Sequence, residues 1–132
     1  MMFIGLEGVV VLGPVSVGGT LTLAPYAKPF LFWASTRMRV AWLTQRSPRE
    51  QLFVAHQLGL RDDAVAMSTG FRKSPVEVFA GVPGAIWVTA SATPEEREWA
   101  RATLGERFVG IDARVGVTPT HKAAIEHLFS GE

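Results

Sequence analysis

Residues 84–98 read GAIWVTASATPEERE. The first half, 84–90, is short, apolar and rich in β-branched and aromatic residues, as a buried strand is. The second half carries Thr93-Pro94 with Glu96 three residues after the threonine. A hydroxyl oxygen at the N-cap accepts from an orphan helix N–H, and proline suits the first helical position because its missing N–H has no partner there anyway. The glutamate completes a capping box. One strand therefore feeds directly into one capped helix.

The same unit recurs outward from this stretch. Ser47-Pro48 with Glu50, Ser74-Pro75 with Glu77, and Thr118-Pro119 are three further helix starts, and Gly59 and Gly105 stand where helices end. Strand-like segments precede them at 39–44 (RVAWLT) and 107–112 (RFVGID), with a weaker one at 64–67 (AVAM). Residues 2–12 (MFIGLEGVVVL) form an almost unbroken apolar run, the pattern of a parallel strand covered on both faces. A helix over 26–37 links it to the second strand. Alternating strands and helices predict an α/β, three-layer, Rossmann-like fold. The expected sheet is parallel, of about five strands flanked by helices, in one domain over 1–132. The spacing of the caps is irregular, which excludes a solenoid repeat.

Composition agrees. The chain has 132 residues, 48% hydrophobic and 19% charged, which is globular rather than disordered. With 13 basic and 12 acidic residues, global charge selects no partner. Before Glu50, however, Lys28, Arg37, Arg39, Arg46 and Arg49 face the single acid Glu7. The absence of cysteine excludes disulfides, thiolate metal sites and a cysteine nucleophile, and fits a cytoplasmic location. The weakly charged stretch 2–25 is long enough to span a bilayer. Gly13-Pro14 and Gly18-Gly19 break it, and it lacks the basic flank of a signal, so no membrane association is expected.

In an open α/β sheet, ligands bind at the carboxyl ends of the strands. That rule selects Glu7 and Gly8, Thr44 to Arg46, Arg72 and Lys73, Thr89 to Ser91, and Asp112. At these positions FIGLEGVVV resembles a strand ending D-x-D-G-V, and VAWLTQRS a hydrophobic strand ending in Thr or Ser. FRKSPVEVFAGVPGAIWV resembles a lysine motif leading into the fourth strand, WVTASATPEEREWA a segment W-I-D-D-x-x-T-P, and DARVGVTPTHKAAIEHL a closing Gly-Leu-Thr-Pro turn and helix. In order and spacing, nearly the whole chain resembles the haloacid dehalogenase-like superfamily, and more narrowly its small bacterial domains associated with RNA-repair proteins.

The resemblance implies a phosphatase-like fold with no substantial cap domain and a degenerate site. In the family, one aspartate attacks phosphorus, a second is the general acid/base, and a pair of aspartates holds Mg²⁺. The matching positions are Gly5 for the nucleophile, Glu7 for the acid/base, and Thr89 and Ala90 for the metal pair. Thr44 and Lys73 keep the family's residue types. No catalytic residue, metal ligand or cofactor is therefore expected, and Mg²⁺ binding should be lost. Mg²⁺ demands hard oxygen ligands, and one carboxylate remains where the family offers several.

The leading expectation is a pseudoenzyme acting as a binding or structural protein, with an anion or phosphate site at Thr44, Lys73, Arg46 and Arg72. Its ligand would be a small anion or a protein partner. Two alternatives stand beside it. One is a phosphohydrolase using Glu7 with rearranged groups; the other is a nucleic-acid accessory module whose basic rim of Arg46, Arg49, Arg72 and Lys73 holds RNA phosphates. Glu7, set in an apolar strand, is costly unless paired, and Lys73 is its expected partner. The four tryptophans read as core or interface. His56, His121 and His127 lack the spacing of a helical zinc pair. Asp112 is expected to shape the turn before Gly116. The apolar content leaves room for a homodimer interface.

Overall fold

The computed structural model describes residues 1–61, 63–67 and 74–130. Four strands, β1 (Met2–Ile4), β2 (Val40–Trp42), β3 (Ile86–Thr89) and β4 (Phe108–Gly110), form an all-parallel sheet in the order β2-β1-β3-β4. The helices are α1 (Ala27–Arg37), α2 (Pro48–Gln57), α3 (Pro75–Ala80), α4 (Pro94–Thr103) and α5 (Pro119–Ser130).

Alternate strand residues go to opposite faces. Met2, Ile4, Val40, Trp42, Ile86 and Val88 pack with α1, α2 and α5 through Phe30, Leu31, Val54, Leu58 and Ile125. Phe3, Ala41 and Trp87 pack on the other face with Val78 and Phe79 of α3 and Ala100 of α4. The sheet is thus the middle of three layers, as the strand–helix alternation predicts. On the second face the Trp87 ring lies 5.5 Å from Phe79 and 5.4 Å from Phe108, centroid to centroid. Such aromatic pairs add about 0.5–1.5 kcal/mol each beyond area burial.

The helix starts follow the sequence closely. Ser47 and Thr93 form complete capping boxes with Glu50 and Glu96, and the Ser74 hydroxyl accepts from the Glu77 amide. The fourth start has no glutamate. There the Nδ1 of His121 accepts from the Thr118 backbone N–H at 3.0 Å, doing from the same position what a glutamate does elsewhere.

Two expectations are corrected. The sheet has four strands, not five. Residues 64–67 contribute only one isolated parallel bridge, Ala66 to Ala41, in which the Trp42 N–H donates to the Ala66 carbonyl and the Ala66 N–H to the Val40 carbonyl. The run 2–12 is not one long strand either. β1 ends at Ile4, Gly8 takes φ +78°, and the Val10 and Val11 amides fold back onto the Leu6 carbonyl. Val11 then pairs antiparallel with Leu23. Leu6, Val9, Val10 and Val11 are all buried. Continuous apolar character there reports burial inside a folded-back turn, and periodicity cannot separate that from a strand.

Candidate functional site

The strand order reverses beside β1. The β1–β2 connection runs to one side of β1, and the next places β3 on the other. The carboxyl ends of β1 and β3 therefore flank the switch point, where open α/β sheets bind ligands. A cleft of about 470 Å³ opens there. Its polar lining includes Glu7 from the turn after β1, Thr44, Gln45 and Arg46 after β2, and Thr89 and Ser91 at the end of β3. Trp87 and Leu43 supply apolar wall, and Glu96 of α4 is a second carboxylate.

Glu7 is delivered by its turn. At Gly8, φ is positive, and a Cβ would sit 2.8 Å from the side chains of both Ala90 and Ala113. Only glycine fits this position, for both backbone and packing reasons. Ala90 therefore packs against the underside of the turn and is not part of the cleft lining. Gly5 is different. A Cβ there would make ordinary contact, 3.6 Å from the Thr89 hydroxyl oxygen, so positions 5 and 89 face each other.

The Glu7 carboxylate is already engaged. Arg46 donates through Nε to Oε1 at 2.8 Å, and the Thr44 hydroxyl lies 3.2 and 3.3 Å from the two oxygens. The same Thr44 oxygen accepts from the Arg46 backbone N–H at 3.2 Å. Arg46 also donates through Nη1 to Glu50 at 3.3 Å, and Glu50 in turn accepts from the backbone and hydroxyl of Ser47. Beneath them Gln51, fully buried, donates to the Arg46 carbonyl at 2.9 Å. Both ends of Arg46 are thus anchored.

The electrostatics follow. The hydrogen bond that Arg46 donates to Glu7 raises the pKa of Arg46, with further help from the charges of Glu7 and Glu50 against the opposing effect of burial. The Ser47 backbone hydrogen bond holds the Glu50 carboxyl below its ordinary value; burial opposes this, and the Ser47 hydroxyl and Arg46 assist. The Glu7–Arg46 pair keeps more than a third of each side chain in water, so its Coulomb energy is screened.

The fold thus brings together Glu7, Thr44, Arg46 and Thr89, with Gly5 against Thr89. It gives Glu7 the partner Arg46, a pairing that the residues alone did not indicate. Arg72 and Lys73 lie outside the described residues. Arg49 is exposed on α2 and does not line the cleft. Among the described lining residues the charges are Glu7 and Glu96 against Arg46. Asp112 shapes its turn as expected: its carbonyl accepts from Val115 and Gly116, and its carboxylate from the Arg114 amide.

Sequence reading missed Glu50 as the second partner of Arg46, although their four-residue spacing on a helix start was visible. It also missed Gln51, for which no sequence signal exists. Comparison with protein-family models, with curated proteins and with solved structures gave no match. No helix among the described residues is long and apolar enough to cross a membrane.

Proposed function

We propose that this chain is a haloacid-dehalogenase-like binding domain that does not carry out phosphoryl transfer. One observation carries the reading: Glu7, the single carboxylate among Gly5, Glu7, Thr89 and Ala90, is hydrogen-bonded through its oxygens to Thr44 and Arg46. These contacts leave fewer of the carboxylate's about four lone-pair sites for the proton that a general base would take. A nucleophile needs a side chain, and Gly5 has none.

The residues present do not fit Mg²⁺. The cation needs hard oxygen ligands in near-octahedral array. Here the neighbouring positions carry a hydrogen, a hydroxyl and a methyl group, and a guanidinium sits on the remaining carboxylate. Binding is the function the cleft retains. It offers hydroxyls, an amide and a charge pair beside Leu43 and Trp87, in a volume suited to a small polar molecule.

The ligand class depends on Arg46. In the described geometry its Nε donates to Glu7 and its Nη1 to Glu50. An anion seated over Thr44 would have to compete with Glu7 for the Thr44 hydroxyl and the Arg46 Nε. An anion held by Thr44, Arg46 and Lys73 is therefore expected to bind more tightly to Glu7→Gln than to the parent protein.

The test is a generic phosphate-ester hydrolysis assay with and without Mg²⁺, run on the parent and on Glu7→Gln. The expected result is no turnover in either. Metal-dependent turnover in the parent that Glu7→Gln abolishes would overturn the reading in favour of a phosphohydrolase.

A further inference from the structure

A second, smaller pocket of about 230 Å³ lies on the far side of Thr89 from the switch-point cleft. It is lined by Thr89, Arg97, Arg101, Phe108, Gly110 and Ile111. Arg97 and Arg101 stand one turn apart on α4, so their like charges repel. Among the described residues neither forms an ion pair. Glu95, Glu96 and Glu98 share the helix, but none of them lies within ion-pair distance of either arginine.

The floor of the pocket is open backbone. β4 is the edge strand of the sheet. The Ile111 N–H donates inward to the Thr89 carbonyl at 2.9 Å. Adjacent residues of a strand point their peptide groups to opposite sides, so the Gly110 N–H faces the open edge. A Cβ on Gly110 would meet nothing within 4 Å, so the sheet face at that residue is open.

Two guanidinium groups without an ion-pair partner line one small concavity, and Gly110, whose N–H faces the sheet edge, belongs to the same lining. We infer that the pocket between α4 and the end of β4 is an oxyanion site for a free phosphate or phosphate monoester, held by Arg97, Arg101 and the Gly110 N–H. Guanidinium N–H groups make charge-assisted bonds to phosphate oxygens, and a tetrahedral group offers oxygens to several donors at once. Both arginines are exposed, so binding is weakened by salt. This site shares only Thr89 with the switch-point cleft and holds whether or not the cleft binds a ligand.

The test is a titration with inorganic phosphate at low ionic strength, followed by backbone amide shifts. Parallel arms use chloride at matched ionic strength and a short single-stranded RNA without terminal phosphates. Saturable shifts at Thr89, Gly110 and Ile111 are expected with phosphate and not with chloride. The double variant Arg97→Ala/Arg101→Ala should bind about tenfold more weakly or worse. Arg37→Ala, an exposed change on α1, should bind as the parent does, and the far-ultraviolet spectrum checks that all variants stay folded. No saturation, equal shifts with chloride, or unchanged affinity in the double variant would overturn the site. RNA binding tighter than phosphate and dependent on both arginines would overturn the assignment to a free phosphate group.

Discussion

Two acid–arginine pairs sit just beyond strands of the same sheet. Arg46 meets Glu7 at 2.8 Å past β2 and β1, and Arg114 meets Asp112 at 3.0 Å past β4. The chemistry is the same, but what holds each pair is not. Glu7 and Arg46 are 39 residues apart and meet only because two parallel strands end side by side. Asp112 and Arg114 are two residues apart and meet inside one turn. The first pair is tied to Thr44, Glu50 and, through the Arg46 carbonyl, to buried Gln51. The second is largely in water, with Arg114 88% and Asp112 48% exposed. An ion pair's structural weight comes from what anchors its partners rather than from its contact distance.

The most severe way to break the first pair is to remove the turn that presents Glu7. Gly8→Ala places a Cβ at positive φ and against two methyl groups. A loss of about 3 kcal/mol is expected from the combined strain and overpacking, read as a lower denaturant midpoint. A change under ~0.5 kcal/mol, the range of a neutral surface substitution, would mean the turn is not anchored as described.

The next test removes the shared cation. Arg46→Met leaves Glu7 and Glu50 without the guanidinium they share and should cost about 1–2 kcal/mol, with the pair's exposure already discounted. A double-mutant cycle with Glu7→Gln separates the pairwise part, and strictly additive losses would show that the pair contributes nothing by itself.

A smaller effect is tied to pH. Burial pushes the pKa of His121 below its ordinary 6.5, and its Nδ1 is an acceptor at the start of α5. A depressed value means the folded protein favours the neutral ring. The stabilisation is therefore complete above about pH 6.5 and is lost as pH falls through the folded-state value. In His121→Gln, chemical-denaturation midpoints between pH 7.5 and 5 should fall less steeply than in the parent. Parallel curves would assign the slope to other groups.

The smallest effect belongs to the second pair. The Arg114 hydrogen bond holds the Asp112 carboxyl below its ordinary value. Asp112→Asn at pH 7 should nevertheless leave the unfolding midpoint unchanged within error, because the group is so open to water. A clear drop would erase the contrast between the two regions.

The parts of the fold that could be read from the sequence were those controlled by neighbours along the chain. Ser47, Ser74, Thr93 and Thr118, each followed by proline, announce helix starts because a cap is made within three residues. The apolar segments before them announce strands. Where a partner lies far along the chain, reading failed. Residues 2–12 looked like one strand because burial on all sides looks the same in a strand and in a folded-back turn. Residues 64–67 looked like a fifth strand because one bridge and a full ladder demand the same residue types.

The site divides the same way. The sequence by itself determined which groups were available: one carboxylate at Glu7, none at Gly5, Thr89 or Ala90, and a hydroxyl at Thr44. These are covalent facts, and no fold can change them. The tertiary structure decided who meets whom. It put Arg46 on Glu7, turned Ala90 against the turn at Gly8 and away from the cleft, and set Arg97 and Arg101 over the open edge of β4. Strand register and the direction of each side chain from the sheet set these meetings, and both are settled only when all four strands pack together.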